Sequence, residues 1–241
     1  MHATDRSDLS PQGSRIAIVA AMGEELHSLR QRLSGVQPVV LPSGSAVGGR
    51  LASREVLLVE TGEGAAAAEK GLEALLEEQD IEALIVVGVA GGLSPDLAVG
   101  DLVVASSVRD EASTLGSPDA ALLQQALDSK SVVQGGVVSV DKIVVEPAAK
   151  HELWQSVGGG AFQVVDLESA TYARLAVERH IPYLVLRAVS DTATEDLPLD
   201  FNAFRTSEGR IHRGKVARHL IFHPHLVGPL KDCLLYTSDA A

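Results

Sequence analysis

The sequence predicts an α/β fold, a single three-layer α/β/α domain built on a mixed, mostly parallel central sheet. Three observations carry this expectation. Short β-branched runs recur along the chain and end at small or acidic residues, as buried strands do where they feed loops. A helix-forming segment separates two of them, the mark of a parallel crossover. The composition is 46% hydrophobic, with 22 Gly and only 3% aromatic residues, which suits a sheet covered by helices whose tight loops approach a small ligand.

Taken in order, strands are predicted over residues 16–21 (IAIVAA), 56–60 (VLLVE) and 84–89 (LIVVGV). Between the last two, residues 65–79 (AAAAEKGLEALLEEQ) carry Ala, Leu and Glu in helical proportion. Further strands are expected at 102–106, 137–140 and 164–166, then a helix over 168–179 and a strand over 183–189. Residues 212–231 read as a terminal helix that Pro224 must break or kink, because proline lacks the amide hydrogen. The domain is expected to span 15–232, between a disordered tail at 1–14 and a non-native tail at 233–241 (CLLYTSDAA).

At 241 residues the chain is within the size of one α/β domain. A formal net charge of −12 argues against a nucleic-acid binder, which needs a basic stripe to neutralise phosphates. The single cysteine, Cys233, excludes an intrachain disulfide and a cysteine-built metal site and fits a cytoplasmic location. No stretch reads as a secretory signal or a membrane span.

Ligands of open parallel sheets bind beyond the carboxyl ends of the strands. Four places meet that test. GVAGGL, with Ala90 and Gly91, could bring backbone amides close to a ligand, or be a structural turn. Glu24 and Glu25 in AMGEEL could act chemically, or simply favour a helix start through its dipole. In VVDLESATYA, Glu168 could accept two hydrogens from vicinal hydroxyls, while Asp166 could cap the next helix. Asp191, after Ser190 in RAVSDTA, ends a nearly apolar strand; such burial favours a protonated acid able to serve a leaving group, the bland alternative again being a cap. A competing reading is TGEGAAA at 61–67, which matches a dinucleotide fingerprint. The following strand ends in valine and glycines instead of the acid such a site requires, which ranks a dehydrogenase below.

Together and in this order, AMGEEL, VVGVAGGLSPDLAVGDLVVA, VVDLESATYA and RAVSDTA resemble the purine nucleoside phosphorylase superfamily, closest to its methylthioadenosine/adenosylhomocysteine nucleosidases. The resemblance covers about residues 15–205. It implies cleavage of the N-glycosidic bond of an adenine nucleoside. Glu25 would activate water, Glu168 would hold the ribose hydroxyls with Leu167 under the sugar, and Asp191, positioned by Ser190, would protonate purine N7. Ala90 and Gly91 would line the sugar and nucleophile side, Ile143 and Val144 would present backbone to the base edge, and Phe204 would cover the 5′ end. No metal or organic cofactor is implied, phosphate being a co-substrate only in phosphorolytic relatives, and the partner expected besides the nucleoside is a second copy in a homodimer.

The departures are specific. Val89 stands where the nucleosidases usually have a serine, and Ile143 replaces an aromatic that stacks on the purine. The stretch after Ala105 lacks the family's Tyr- and Phe-containing insertion. That compact middle, with the tail RHLIFHPHLVGPL, also resembles the hopanoid-associated phosphorylases, which act on an adenosine carrying a lipid at C5′. A nucleoside-binding module of low activity is the third expectation.

Overall fold

Along Arg15–Ala20, the first strand (β1), side chains point alternately to two faces: Ala17 and Val19 enter one apolar cluster, Ile18 and Ala20 another. The strand Arg54–Glu60 (β4) repeats this with Leu57 and Val59 against Val56 and Leu58. Strands apolar on both sides require cover on both faces. The computed structural model describes residues 15–129, 131–197, 201–204 and 206. In it the helices Ala65–Glu78 (α2) and Ser169–Glu178 (α5) cover one face with Leu72, Leu75, Tyr172 and Leu175. The other face is covered by Leu26 and Leu29, at the helix His27–Arg32 (α1), and by Leu153 and Trp154 of the helix Pro147–Ser156 (α4). A further helix, Ala120–Leu127 (α3), is capped by Asp119, whose carboxylate accepts from Ala121 N and Leu122 N.

The remaining strands are Ser34–Val39 (β2), Ser45–Leu51 (β3), Ile81–Val86 (β5), Val89–Gly92 (β6), Leu102–Arg109 (β7), Val132–Ser139 (β8), Gln163–Asp166 (β9) and Tyr183–Asp191 (β10). The sheet order is β2-β3-β4-β1-β5-β10-β6-β9-β8-β7, with a further antiparallel pairing between β10 and β7. Among the described residues six of the ten strand pairings are parallel, so the sheet is mixed and mostly parallel, as expected. The crossover through α2 joins β4 to β5, and both flank β1 in parallel.

Several expectations need correction. GVAGGL is not a loop: β5 stops at Val86, the chain kinks at Val87–Gly88, and Val89–Gly92 runs on as β6 between β10 and β9. Glu24 and Glu25 open a 3-10 turn, Gly23–Leu26, before α1 begins. Strand β10 continues through Ser190 to Asp191 because Asp191 still pairs with Gly91. The hairpin β2–β3 and the helices α3 and α4 were not anticipated. Tails 1–14 and 233–241 and the helix expected over 212–231 lie outside the described residues. Among the described residues no helix is long and apolar enough to cross a membrane.

Candidate active site

The ends of β1, β5, β9 and β10 converge on a group of buried carboxyls. Leu26 anchors the 3-10 turn in the core, and this holds Glu25 inward, 6% exposed. Met22 N donates to Glu25 Oε2 at 2.8 Å, and Val89 N donates to Oε1 at 3.0 Å. The kink at Gly88 makes that approach possible: a β-carbon there would overlap Arg187 Nη1 and lie 2.5 Å from Glu25 Oε1. Val89 therefore serves the site through its amide and not through a side-chain hydroxyl.

Arg187, in the middle of β10 and 1% exposed, is the cation of this group. Its Nη2 lies 2.7 Å from Asp166 Oδ2, Nε and Nη2 donate to Ser169 Oγ at 3.2 and 2.9 Å, and Nη1 donates to the Val87 carbonyl at 3.0 Å. Asp166 also accepts from Ser139 Oγ and Ser169 Oγ, both at 2.5 Å. It is thus an ion-pair anchor that also accepts from Ser169 N, the first amide of α5, at 3.3 Å; Glu168 stands at the cap position but makes no side-chain cap hydrogen bond. A buried charge is tolerated only when paired and hydrogen-bonded in this way.

Glu168 follows β9 and is 7% exposed. Gly64 N, at the start of α2, donates to its Oε1 at 2.7 Å, while Oε2 makes no hydrogen bond among the described residues. Burial, then the negative charge of Asp166, push the Glu168 carboxyl from an ordinary 4.5 up to about 7. Burial also raises Glu25, against the pull of Arg187. Behind them, the Tyr172 hydroxyl and Thr61 Oγ1 are 2.6 Å apart. The Gly64 contact also decides against a dinucleotide site: a carboxylate occupies the helix start where a pyrophosphate would bind.

A second centre lies at the end of β10. Ser190 Oγ donates to Asp191 Oδ1 at 2.6 Å and is 3.2 Å from the Ala90 carbonyl. A β-carbon on Gly91 would stand 3.1 Å from Asp191 Oδ2, so β6 packs its bare backbone against the acid. The expected apolar setting of Asp191 is corrected by a buried cation: Lys150 of α4 donates from Nζ to Oδ2 at 2.5 Å. Leu167 and Val144 pack on one cluster with Leu93 and Val165. Asn202 pairs with both backbone groups of Ile143, its Oδ1 accepting from Ile143 N and its Nδ2 donating to Ile143 O, each at 2.9 Å. Phe204 belongs to the same 3-10 turn as Asn202, Phe201–Phe204.

Residues 15–221 match the Phosphorylase superfamily. The chain belongs to that superfamily. It is 29% identical over 214 residues to the 5′-methylthioadenosine/S-adenosylhomocysteine nucleosidase of Listeria monocytogenes, covering 78% of this chain and 91% of that protein. Identity to the Shewanella pealeana nucleosidase of the same name is 26% over 217 residues, with 81% and 94% covered. Among solved structures, the Neisseria meningitidis nucleosidase in complex with methylthio-immucillin-A has a TM-score of 0.70 at 25% identity, covering 79% of this chain and 91% of that one. The S-adenosylhomocysteine nucleosidase of Streptococcus pyogenes has a TM-score of 0.70 at 27% identity, with 81% and 91% covered.

In this phosphorylase-superfamily chain, reasoning from sequence missed Arg187, Lys150, Ser139, Ser169 and Gly64. Arg187 left a signal, a lone charge inside the apolar run LVLRAV, where it must find a buried partner. Lys150 left none: a lysine among the polar residues of PAAKHELWQS carries no sign of burial.

Proposed function

We propose that the chain is a nucleosidase that cleaves the N-glycosidic bond of an adenine nucleoside of the methylthioadenosine/adenosylhomocysteine type, with water as the nucleophile. The observation that carries this reading is the charge around Glu25. Three buried carboxyls, Glu25, Asp166 and Glu168, surround Arg187, whose nitrogens are committed to Asp166, Ser169 and Val87. A phosphate dianion would meet net repulsion there, whereas a neutral water would not.

In this reading Glu168 accepts the ribose hydroxyl hydrogens on Oε2, with Leu167 beneath the sugar and Ala90 and Gly91 lining the nucleophile side. The C1′–N9 bond breaks with its electron pair moving into the purine, and Asp191 gives its proton to N7 as the sugar becomes an oxocarbenium ion. Water oxygen bonds to C1′ and its proton passes to Glu25, whose burial makes it a stronger base. The products are neutral adenine and free sugar. Ser190 orients the acid and the backbone of Val144 meets the base edge, both backbone groups of Ile143 being held by Asn202; cover of the 5′ end is assigned to Phe204. The same reading includes a cofactor-independent homodimer in the cytoplasm; the single cysteine supports a reducing compartment, and light scattering of the purified protein tests the dimer.

The test is a product assay with adenosine, methylthioadenosine and adenosylhomocysteine, with and without phosphate. Adenine plus free sugar, independent of phosphate, is expected. Sugar 1-phosphate formed only with phosphate would overturn hydrolysis, and no adenine from any of the three would overturn the substrate class. Asp191→Asn should lower turnover by about 10²–10⁴; near-normal turnover would sink the role of Asp191.

A further inference from the structure

We propose that Lys150 is the positioning residue for the proton-donating step, fixing the Asp191 carboxyl and coupling it to the loop that meets the base. The proposal rests on the reading of Asp191 as the donor.

Lys150 is the buried residue of α4 and is 0% exposed, while Leu153 and Trp154 of the same helix are only partly buried. A helix docking on a sheet needs an apolar side chain at its innermost position, and an ammonium there is costly unless each of its three hydrogens finds an acceptor. All three do. Besides Asp191 Oδ2 at 2.5 Å, Lys150 Nζ donates to the carbonyls of Thr192 at 2.7 Å and Glu195 at 3.0 Å. The acceptors fall within five consecutive residues, 191–195, so one ammonium fastens the whole turn after β10. The Glu195 carboxylate closes that turn from the other side, accepting from Thr192 N at 2.7 Å and Thr192 Oγ1 at 3.0 Å.

Two consequences follow for the reaction. With Ser190 on Oδ1 and Lys150 on Oδ2, and the backbone of Gly91 against the carboxyl, Asp191 cannot rotate away from the position in which it meets the base. Negative charge left on Asp191 as the proton moves to N7 forms beside a fixed cation that needs no reorganisation. Lys150 also stands shortly after Ile143 and Val144, and Leu197 N donates to the Val145 carbonyl at 3.2 Å. The base-edge loop, α4 and the turn after the acid are thereby one unit, so seating the purine aligns N7 with its donor.

The experiment compares two substrates in Lys150→Met and Lys150→Gln: methylthioadenosine, whose base leaves only when protonated, and 4-nitrophenyl β-D-riboside, whose leaving group departs without a proton. For Lys150→Met we expect kcat on methylthioadenosine to fall about 10–100-fold, a part of a general acid's contribution, with KM within about 3-fold. Turnover of the nitrophenyl riboside should stay within about 2-fold, which also reports an intact ribose and water site. Lys150→Gln keeps a hydrogen-bond donor and should recover part of the loss; it carries the comparison if the Met variant does not fold. Equal losses on both substrates, or an unchanged kcat on methylthioadenosine, would overturn the proposal. Asp191→Asn run alongside separates the failures: if it leaves methylthioadenosine turnover intact, the donor assignment fails, whereas its loss with unaffected Lys150 variants refutes the role of Lys150 alone.

Discussion

Glu25, Asp166 and Glu168 share one guanidinium, and the consequence at the scale of the residue is that the fold holds protons the unfolded chain would release. Glu168 lies at about 7 when folded against an ordinary 4.5. Below about 4.5 both states are protonated and its burial carries no charge penalty. Between 4.5 and about 7 the folded state keeps a proton that the unfolded state gives up, so its contribution makes stability fall as pH rises through that window and level off above it. Glu168→Gln should flatten this decline, gaining roughly 2–4 kcal/mol relative to the parent between about pH 4 and pH 8 in urea unfolding. An unchanged pH slope would show that Glu168 is not the group responsible. If Glu168 clamps the vicinal hydroxyls as proposed, the same variant should lose more turnover on ribosides than on 2′-deoxyribosides; equal losses would contradict that role. The carboxyls themselves were legible in the sequence, since each follows a β-branched run. Their partners were not: Gly64 and Glu168 are 104 positions apart, and only folding brings an amide to a carboxylate across that distance.

At the scale of the element, the kink between β5 and β6 decides how close Glu25 and Arg187 come. Gly88→Ala would insert a methyl between the two side chains, one of which is anchored by two amides and the other by an ion pair, so neither can retreat cheaply. We expect a stability loss of about 1–3 kcal/mol and a fall in turnover larger than that of any substitution on the exposed strand β2. Parent-like melting and turnover would show that the kink is not constrained. The apolar runs that became β1, β4, β5 and β10 were legible because a strand buried on both faces has a nearly continuous apolar sequence. Strand β2 (SGVQPV) is exposed along most of its length and carries a proline, so no hydrophobic pattern announces it. Strand β6 is four residues with two glycines, a pattern that suggests a turn, since its extended conformation comes from pairing with β9 and β10 and not from its own propensity. Helix α3 buries no residue and α4 is buried through a lysine, so neither shows a clear apolar face.

For the whole molecule, Arg187 is the residue whose loss should be felt everywhere, because it ties β10 to β9, α5 and the end of β5. Arg187→Met leaves Asp166 buried without its cation and should cost about 3–5 kcal/mol in equilibrium unfolding; a loss below about 1 kcal/mol would mean that the serine contacts suffice. An α/β/α layering was legible from the alternation of strands and helix, but the closure of the sheet was not. Because β7 pairs with both β8 and β10, strands β10, β6, β9, β8 and β7 form a ring, and that register depends on contacts distant in sequence. The ring also orders events during synthesis. Strands β1 to β5 are contiguous in sequence, drawn from residues 15–86, and pair among themselves. Strands β6 to β9 are made next, yet they can neither close nor join the first half until β10 arrives. Among the described strands β10 is the last to leave the ribosome; it completes the ring, welds the two halves and delivers Arg187, Ser190 and Asp191 in one step, so a nascent chain lacks the assembled candidate site until β10 is made.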